Sequence, residues 1–427
     1  MWETRVNNLI IFGFLFNVNM RKLIGIDLFA GAGGLSEGIL QSGNIELKAH
    51  VEWEIPMVKV LRERLVQKWK ETPEEALEKV IHFDIQKTDE LLNGIKEKDS
   101  EYIKTNSPYM VNGGLKALIG KDPVDVIVGG PPCQAYSVAG RAQDKDGMKN
   151  DYRNYLFLSF AKVVSELKPK VFVFENVPGI LSAKPNGINI TEEIYKEFDK
   201  IGYQILHPNE LKNAVFNTVD YEVPQQRRRV VIFGVRKGSG ISLNELYDTL
   251  RSFASNKHLT VRDAISNLPK IYPLKESYKS GNKNISHEIV KTNLTSHIAR
   301  FVNQKNQEIF SEWVTKGLNS LSTQEQVDYY YKKTGHKTNH PKYRSLEWDK
   351  PSPTVVAHLY KDGYMFIHPD AEQKRSITVR EAANLMTFPE DFNFNVTDSY
   401  AYKMIGNAVP VNFAKYIGLT LNKVLSK

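Results

Sequence analysis

Residues 23–34 read Leu-Ile-Gly-Ile-Asp-Leu-Phe-Ala-Gly-Ala-Gly-Gly, and they decide the fold expected of this 427-residue chain. The apolar run 23–29 is typical of a buried strand, and the glycines that follow predict a tight turn into a helix. Further strands are predicted at residues 48–52, 124–128, 171–174 and 230–235, with the end of another at 82–85 and helices at 56–70 and 155–167. This alternation predicts an α/β fold with a doubly wound, mostly parallel sheet.

Two stretches interrupt the alternation. Residues 86–122 are polar and lack a clear period, so we predict an insertion with one helix at 89–96. Residues 135–150 are rich in Gly, Ser, Lys and Asp, which predicts a loop after the fourth strand.

The composition is that of a globular protein, with 41% hydrophobic and 25% charged residues. A single cysteine excludes an internal disulfide and a cysteine-based zinc site, which favours a reducing cytoplasm. Residues 9–18 are apolar but too few to span a bilayer, so no membrane partner is expected. Met20 directly precedes the first strand, and residues 1–19 are therefore interpreted as a possible non-native extension.

The positive charge is concentrated in one internal segment. Residues 236–350 contain 19 Lys and Arg against 11 Asp and Glu, an excess of 8 that equals the excess of the whole chain. Such a segment is typical either of a module that faces a polyanion or of a solvated basic surface.

The only cysteine, Cys133, follows a predicted strand and the rigid sequence Gly-Gly-Pro-Pro. Glu175 follows the next strand, and the carboxyl ends of parallel strands form the ligand-binding edge of such sheets. A small buried thiol and a surface or helix-capping Glu are the alternatives. At this edge, burial would raise the pKa of Glu175 and allow it to hold a proton near neutrality.

The ends of the first three strands, namely the glycine turn, Glu52 with Trp53, and Asp84, together predict an adenosine pocket. Glu52 can bind ribose hydroxyls, Trp53 can stack on an adenine or lie in the core, and Asp84 can accept from the exocyclic amine. The dinucleotide fingerprint requires a third glycine where this chain has Ser36, and this disfavours an NAD-dependent oxidoreductase.

Three consecutive arginines precede the strand at 230–235. Arg227 and Arg229 lie on one face of an extended chain and Arg228 on the other. Arg227 and Arg229 can join the site only if this strand is antiparallel to its neighbours. A solvated turn or phosphate binding is the alternative.

These motifs resemble those of the cytosine-C5 DNA methyltransferases, in the family's order and over most of the chain. The cofactor, nucleophile, acid and Gln-x-Arg-x-Arg motifs resemble residues 27–34, 130–134, 175–177 and 225–229. The late structural motif resembles Arg380-Glu381-Ala382-Ala383 with Phe388-Pro389, and the final motif resembles residues 406–410.

The resemblance implies roles for individual residues. Cys133 would be the nucleophile, and Glu175, Arg227 and Arg229 would complete the catalytic set. S-adenosyl-L-methionine would be the cofactor, without a metal, bound by Phe29, Gly31, Gly33, Gly34, Glu52, Trp53, Asp84, Ile85, Gly130, Pro132, Leu156, Asn407 and Val409. Gln134, Ser137 and Arg141 would contact DNA, from a loop that closes over a flipped cytosine.

The resemblance also implies a domain organisation and partners. Residues 20–235 would form the catalytic and cofactor-binding domain, 236–350 the target-recognition domain, and 351–427 a segment that returns to the catalytic domain. The partner would be double-stranded DNA, and the enzyme a bacterial, nucleoid-associated monomer of a restriction–modification system. A cognate restriction endonuclease would act on the same DNA site but need not bind the methyltransferase. A tRNA cytosine methyltransferase and an inactive DNA-binding relative remain the alternatives.

Overall fold

A computed structural model describes residues 21–97, 100–132, 152–361 and 363–426. Within these ranges ten strands are present: β1 Leu23–Leu28, β2 Ile45–Glu52, β3 Val80–His82, β4 Val126–Gly129, β5 Val171–Asn176, β6 Tyr203–Gln204, β7 Val215–Asn217, β8 Arg228–Arg236, β9 Pro273–Ser280 and β10 Lys283–His287.

The helices of the same ranges cover the sheet and build the remainder of the molecule. They are α1 Gly34–Gln41, α2 Ile55–Trp69, α3 Pro73–Lys79, α4 Thr88–Asn93, α5 Glu101–Thr105, α6 Pro108–Ile119, α7 Leu156–Leu167, α8 Ile190–Lys200, α9 Leu243–Ser252, α10 Val261–Ile265, α11 Gln304–Thr315, α12 Thr323–Thr334, α13 Val379–Leu385, α14 Asp398–Asn407 and α15 Val411–Leu425.

Eight strands form one mixed sheet in the order β3-β2-β1-β4-β5-β8-β6, with β7 also paired to β8. Strands β1 to β5 are mutually parallel, which confirms the predicted doubly wound α/β architecture. Strand β8 is antiparallel to β5, with Glu175 opposite Val231 and Asn176 opposite Val230. The prediction that this strand must be antiparallel is therefore confirmed, and its amino end meets the carboxyl end of β5.

Helix α15 packs closely on α1. A Cβ at Gly38 of α1 would lie 2.3 Å from the carbonyl oxygen of Val411 and 2.5 Å from the Cβ of Ala414. Only glycine permits this approach. Helix α15 therefore packs against the helix that follows the glycine turn.

The prediction of a single helix within residues 86–122 is wrong. Three helices, α4, α5 and α6, occupy the stretch, and Leu91, Leu92, Met110 and Leu115 join the main core. The sequence of α6 shows no clear apolar periodicity, because Gly114 leaves the helical conformation at φ 63° and kinks the helix.

A second core is built mostly by residues beyond 260, with Ala32, Met57 and Val60 from the first part of the chain. Val261, Leu346 and Val355 pack with residues of α13 and α14 and with Phe388. The hairpin β9–β10 extends from this region, and most of β9 is exposed. None of the described helices is long and apolar enough to cross a membrane.

Candidate functional site

The glycine turn after β1 is held in an unusual backbone conformation. Phe29, Gly31 and Gly33 all have positive φ, at 61°, 58° and 90°. Left-handed geometry at a non-glycine residue such as Phe29 is costly and clusters at ligand sites. Gly34 is constrained by space, because a Cβ there would lie 2.7 Å from the carbonyl oxygen of Val409. The final motif therefore lies directly against this turn.

Beneath the turn lies a small buried polar cluster. Ser36 Oγ lies 2.5 Å from an oxygen of Asp27 and 2.8 Å from Nδ1 of His50. Burial raises the pKa of Asp27 to about 7 and lowers that of His50 to about 3. The serine that departs from the dinucleotide pattern thus bonds the acid of β1 and fixes the start of α1.

Glu52 connects the turn to the end of β2. Its carboxylate accepts hydrogen bonds from the backbone N–H groups of Gly31, Trp53 and Glu54, each at 2.8 Å. Burial raises the pKa of Glu52 to about 7, although these three donors favour the ionised form. The remaining lone pairs leave this carboxylate able to accept from ligand hydroxyls.

Trp53 and Asp84 follow Glu52 along the same edge. The indole of Trp53 is 55% exposed, so its alternative placement in the core is wrong. Asp84 is half-buried and accepts from the backbone N–H of Gln86 at 3.0 Å, whereas Ile85 is buried.

These groups surround one cavity of about 630 Å³, here called the central pocket. Its walls contain most of the predicted cofactor residues: Phe29, Gly31, Gly34, Glu52, Trp53, Asp84, Ile85, Gly130, Pro132, Leu156, Asn407 and Val409. Gly33 contributes to the turn and does not line the walls. The volume suits a ligand of nucleoside size.

Sequence reasoning missed several other residues of the walls, namely Glu54, Met57, Gln86, Arg153, Val177 and Met404. Helical spacing would have found Met404, because it precedes Asn407 by three residues and so shares its face. The others carry no comparable local signal.

Glu175 and Arg229 form an ion pair at the wall of the central pocket. Glu175 Oε1 lies 2.7 Å from Nε of Arg229, and each side chain is 11% exposed. Burial raises the pKa of Glu175, and the cations of Arg229 and Arg227 oppose that rise. Gly130 provides the space, because a Cβ there would lie 2.8 Å from Oε2 of Glu175.

Arg227 and Arg228 have different surroundings. Arg227 is buried and donates to the carbonyl oxygens of Val355, Gly406 and Ala408 at 2.8 to 2.9 Å. Arg228 is exposed. Arg227 therefore holds the backbone on both sides of Asn407.

Four predicted residues, Cys133, Gln134, Ser137 and Arg141, lie outside the described residues. The chain is described as far as Pro132, which lines the central pocket. The described ranges contain no group of three or more His, Cys, Asp or Glu side chains that could hold a metal ion.

Comparison with known proteins agrees with this geometry. Residues 23–423 match the family model for C-5 cytosine-specific DNA methylases. The Type II methyltransferase M.Bpa9945I of Bacillus paralicheniformis is 33% identical, covering 95% of this chain and 99% of the relative. M.AgeI of Thalassovita gelatinovora is 29% identical over 94% of this chain and 99% of the relative.

Solved structures give the same result. One is described as a DNA modification methyltransferase encoded within a prophage of Escherichia coli. It superimposes with a TM-score of 0.58 at 25% identity, covering 95% of this chain and all of that one. The Dnmt2 methyltransferase of Schizosaccharomyces pombe, at 16% identity and a TM-score of 0.54, shares the fold, with 94% of this chain and 99% of that one covered.

The sheet order and the pocket at its carboxyl edge define a methyltransferase of the S-adenosylmethionine-dependent fold. The chain belongs to the C-5 cytosine-specific DNA methylase family, and it is a DNA cytosine methyltransferase.

Proposed function

We propose that this enzyme flips one cytosine of a specific DNA site and methylates its C5 as the modification partner of a restriction endonuclease. One observation carries the proposal. The Glu175–Arg229 pair and the predicted cofactor residues line the same cavity, and Cys133 follows directly after its wall residue Pro132.

The central pocket fits S-adenosyl-L-methionine by its shape and its donor set. A Cβ at Gly31 would have only Met57 Sδ within 4 Å, at 3.9 Å, so the missing side chain leaves space for a ligand, while the positive φ of Gly33 and the contact of Gly34 with Val409 fix the shape of the turn. Glu52 would hold the ribose hydroxyls and Trp53 the adenine face. The bound cofactor would supply the methyl group.

The chain's own residues would prepare the cytosine. A base inside the duplex is out of reach, so it must be extruded into the pocket. The thiolate of Cys133 would add to C6 and open the C5=C6 double bond. Glu175 would donate a proton to N3, and this stabilises the electron pair that the addition displaces from the double bond. After methylation a base would remove the C5 proton, and the C5–H electron pair would re-form the C5=C6 double bond. The C6–S bond would break with its electron pair on the Cys133 sulfur, and N3 would return its proton to Glu175.

Two alternatives are less well supported. The relatives at 33% and 29% identity are named Type II methyltransferases, whereas the Dnmt2 neighbour, at 16% identity, shares only the fold. An inactive DNA-binding relative would have no need of a buried Glu175–Arg229 pair beside the pocket. We accordingly infer that the enzyme is active. We further propose that it is a monomeric cytoplasmic enzyme that needs no metal, and that its endonuclease need not bind it.

The assignment of residues 236–350 to target recognition is supported by how its cations are paired. Several form ion pairs, including Lys237, Arg262, Lys316 and Lys350, with oxygens at 2.6 to 2.8 Å. Nine exposed cations have no ion pair within the described ranges: Lys275, Lys279, Lys283, Lys291, Lys305, Lys332, Lys337, Lys342 and Arg344. Three of them belong to the hairpin β9–β10, and four lie within 332–344, where no acid occurs. Unpaired cations are the ones available to DNA phosphates.

The overall proposal is tested by sequencing modified cytosines in DNA from cells that express the chain. We expect 5-methylcytosine at one position of one short sequence motif. Methylation confined to tRNA, or no methylation of either nucleic acid, would refute the proposal.

We expect unpaired and paired lysines to differ in DNA binding. Lys279→Met and Lys337→Met should each lower the slope of log affinity against log salt by about one unit. The controls Lys316→Met and Lys350→Met remove cations that already have acidic partners, and they should leave the slope nearly unchanged. Fluorescence anisotropy with a labelled duplex over a salt series provides the measurement. Equal effects in all four variants would contradict the assignment of this surface.

A further inference from the structure

An ion pair joins the two sides of the central pocket. Nζ of Lys403 lies 2.8 and 2.7 Å from the two carboxylate oxygens of Glu54. The two residues are 349 positions apart in sequence. Lys403 belongs to α14, and Glu54 precedes α2. The side chain of Lys403 is 33% exposed and that of Glu54 is 20% exposed, so solvent partly screens the pair.

On one side, the backbone of Glu54 is tied to the predicted ribose-binding group. Its N–H donates to Glu52 at 2.8 Å, and its carbonyl oxygen accepts from the N–H groups of Met57 and Val58 at the start of α2. Glu54 and Met57 both line the pocket. A displacement of Glu54 would therefore disturb the Glu52 carboxylate.

On the other side, Lys403 lies one turn before Asn407 on the same helix face. Met404 and Asn407 line the pocket, and Arg227 holds the carbonyl oxygens of Gly406 and Ala408. The end of helix α14 is thus held by Arg227, the residue before β8, and its middle by Glu54.

We propose that the Glu54–Lys403 pair is a clasp that positions the C-terminal wall of the pocket for cofactor binding. This rests on the proposed use of S-adenosyl-L-methionine. Both residues are positioning residues. Breaking the clasp loosens Asn407 and Val409 against the adenosine side and lowers cofactor affinity, while the Glu175–Arg229 pair and the methyl-transfer step are preserved.

Calorimetry with S-adenosyl-L-homocysteine and the full chain tests the clasp. Glu54→Gln and Lys403→Met should each weaken binding by about two- to fivefold, as expected for a partly exposed ion pair. The reversed double variant, Glu54→Lys with Lys403→Glu, should recover most of the loss. The KM for S-adenosyl-L-methionine should rise in the single variants with kcat unchanged.

The exposed pair Lys116–Glu166, at 2.9 Å between α6 and α7, provides the matched control. Lys116→Met and Glu166→Gln should leave the affinity at the wild-type value. Single clasp variants that bind as tightly as wild type, or a reversed variant no better than the singles, would overturn the clasp. If a single variant fails to fold, Lys403→Arg must retain wild-type affinity. Failure of the wild-type chain to bind the probe would refute the proposed cofactor instead.

Discussion

Replacing Cys133 by Ala is expected to abolish methylation. A mechanism that depends on a covalent nucleophile loses about 10⁴-fold or more of its rate when that group is removed. The same variant should lose the stable complex that wild type forms with DNA containing 5-fluorocytosine at the target position. Fluorine at C5 cannot be removed as a proton, so elimination is blocked and the C6–sulfur bond persists. Denaturing electrophoresis separates the adduct from free protein.

The Cys133→Ala variant should nevertheless bind S-adenosyl-L-homocysteine with wild-type affinity. The substitution leaves Glu52, the glycine turn and the other predicted cofactor residues unchanged. Since the chain contains no other cysteine, any adduct that persists in Cys133→Ala would show that the nucleophile is not a thiol.

The strands and the groups at their ends could be predicted because each depends on local sequence. Val171 to Asn176 form a strand since four apolar residues precede Glu175, and the buried carboxylate follows from that position. The antiparallel direction of β8 followed from the requirement that Arg229 reach the same edge. Local patterns fail where geometry breaks the period, as Gly114 does within α6.

The contacts that assemble the pocket from distant segments could not be predicted. Arg227 was expected to act with Arg229, yet its hydrogen bonds reach carbonyl oxygens 128 to 181 residues away. Nothing near Glu54 or Lys403 indicates that the two meet. Such pairings depend on how the second core packs α14 against the sheet, and local patterns in a single sequence do not indicate that packing.

The second large effect is expected at the Glu175–Arg229 pair. Glu175→Gln should lower kcat by about 10²- to 10⁴-fold, the range for loss of a positioned proton donor. Arg229→Met should also lower it, because the cation paired with Glu175 is lost. Arg228→Met removes the exposed arginine next in sequence and should have little effect on kcat. Single-turnover methylation of a duplex at saturating cofactor measures these rates.

The pH dependence distinguishes proton donation from a purely structural role of Glu175. A donor must be protonated, so activity should fall as pH rises through the pKa of this carboxyl, which burial raises above its usual range. Arg229 opposes that rise, and Arg229→Met should therefore shift the decline in activity to higher pH. In Glu175→Gln the decline should disappear, since the amide does not titrate. A Glu175→Gln profile that keeps the wild-type decline would show that another group donates the proton to N3.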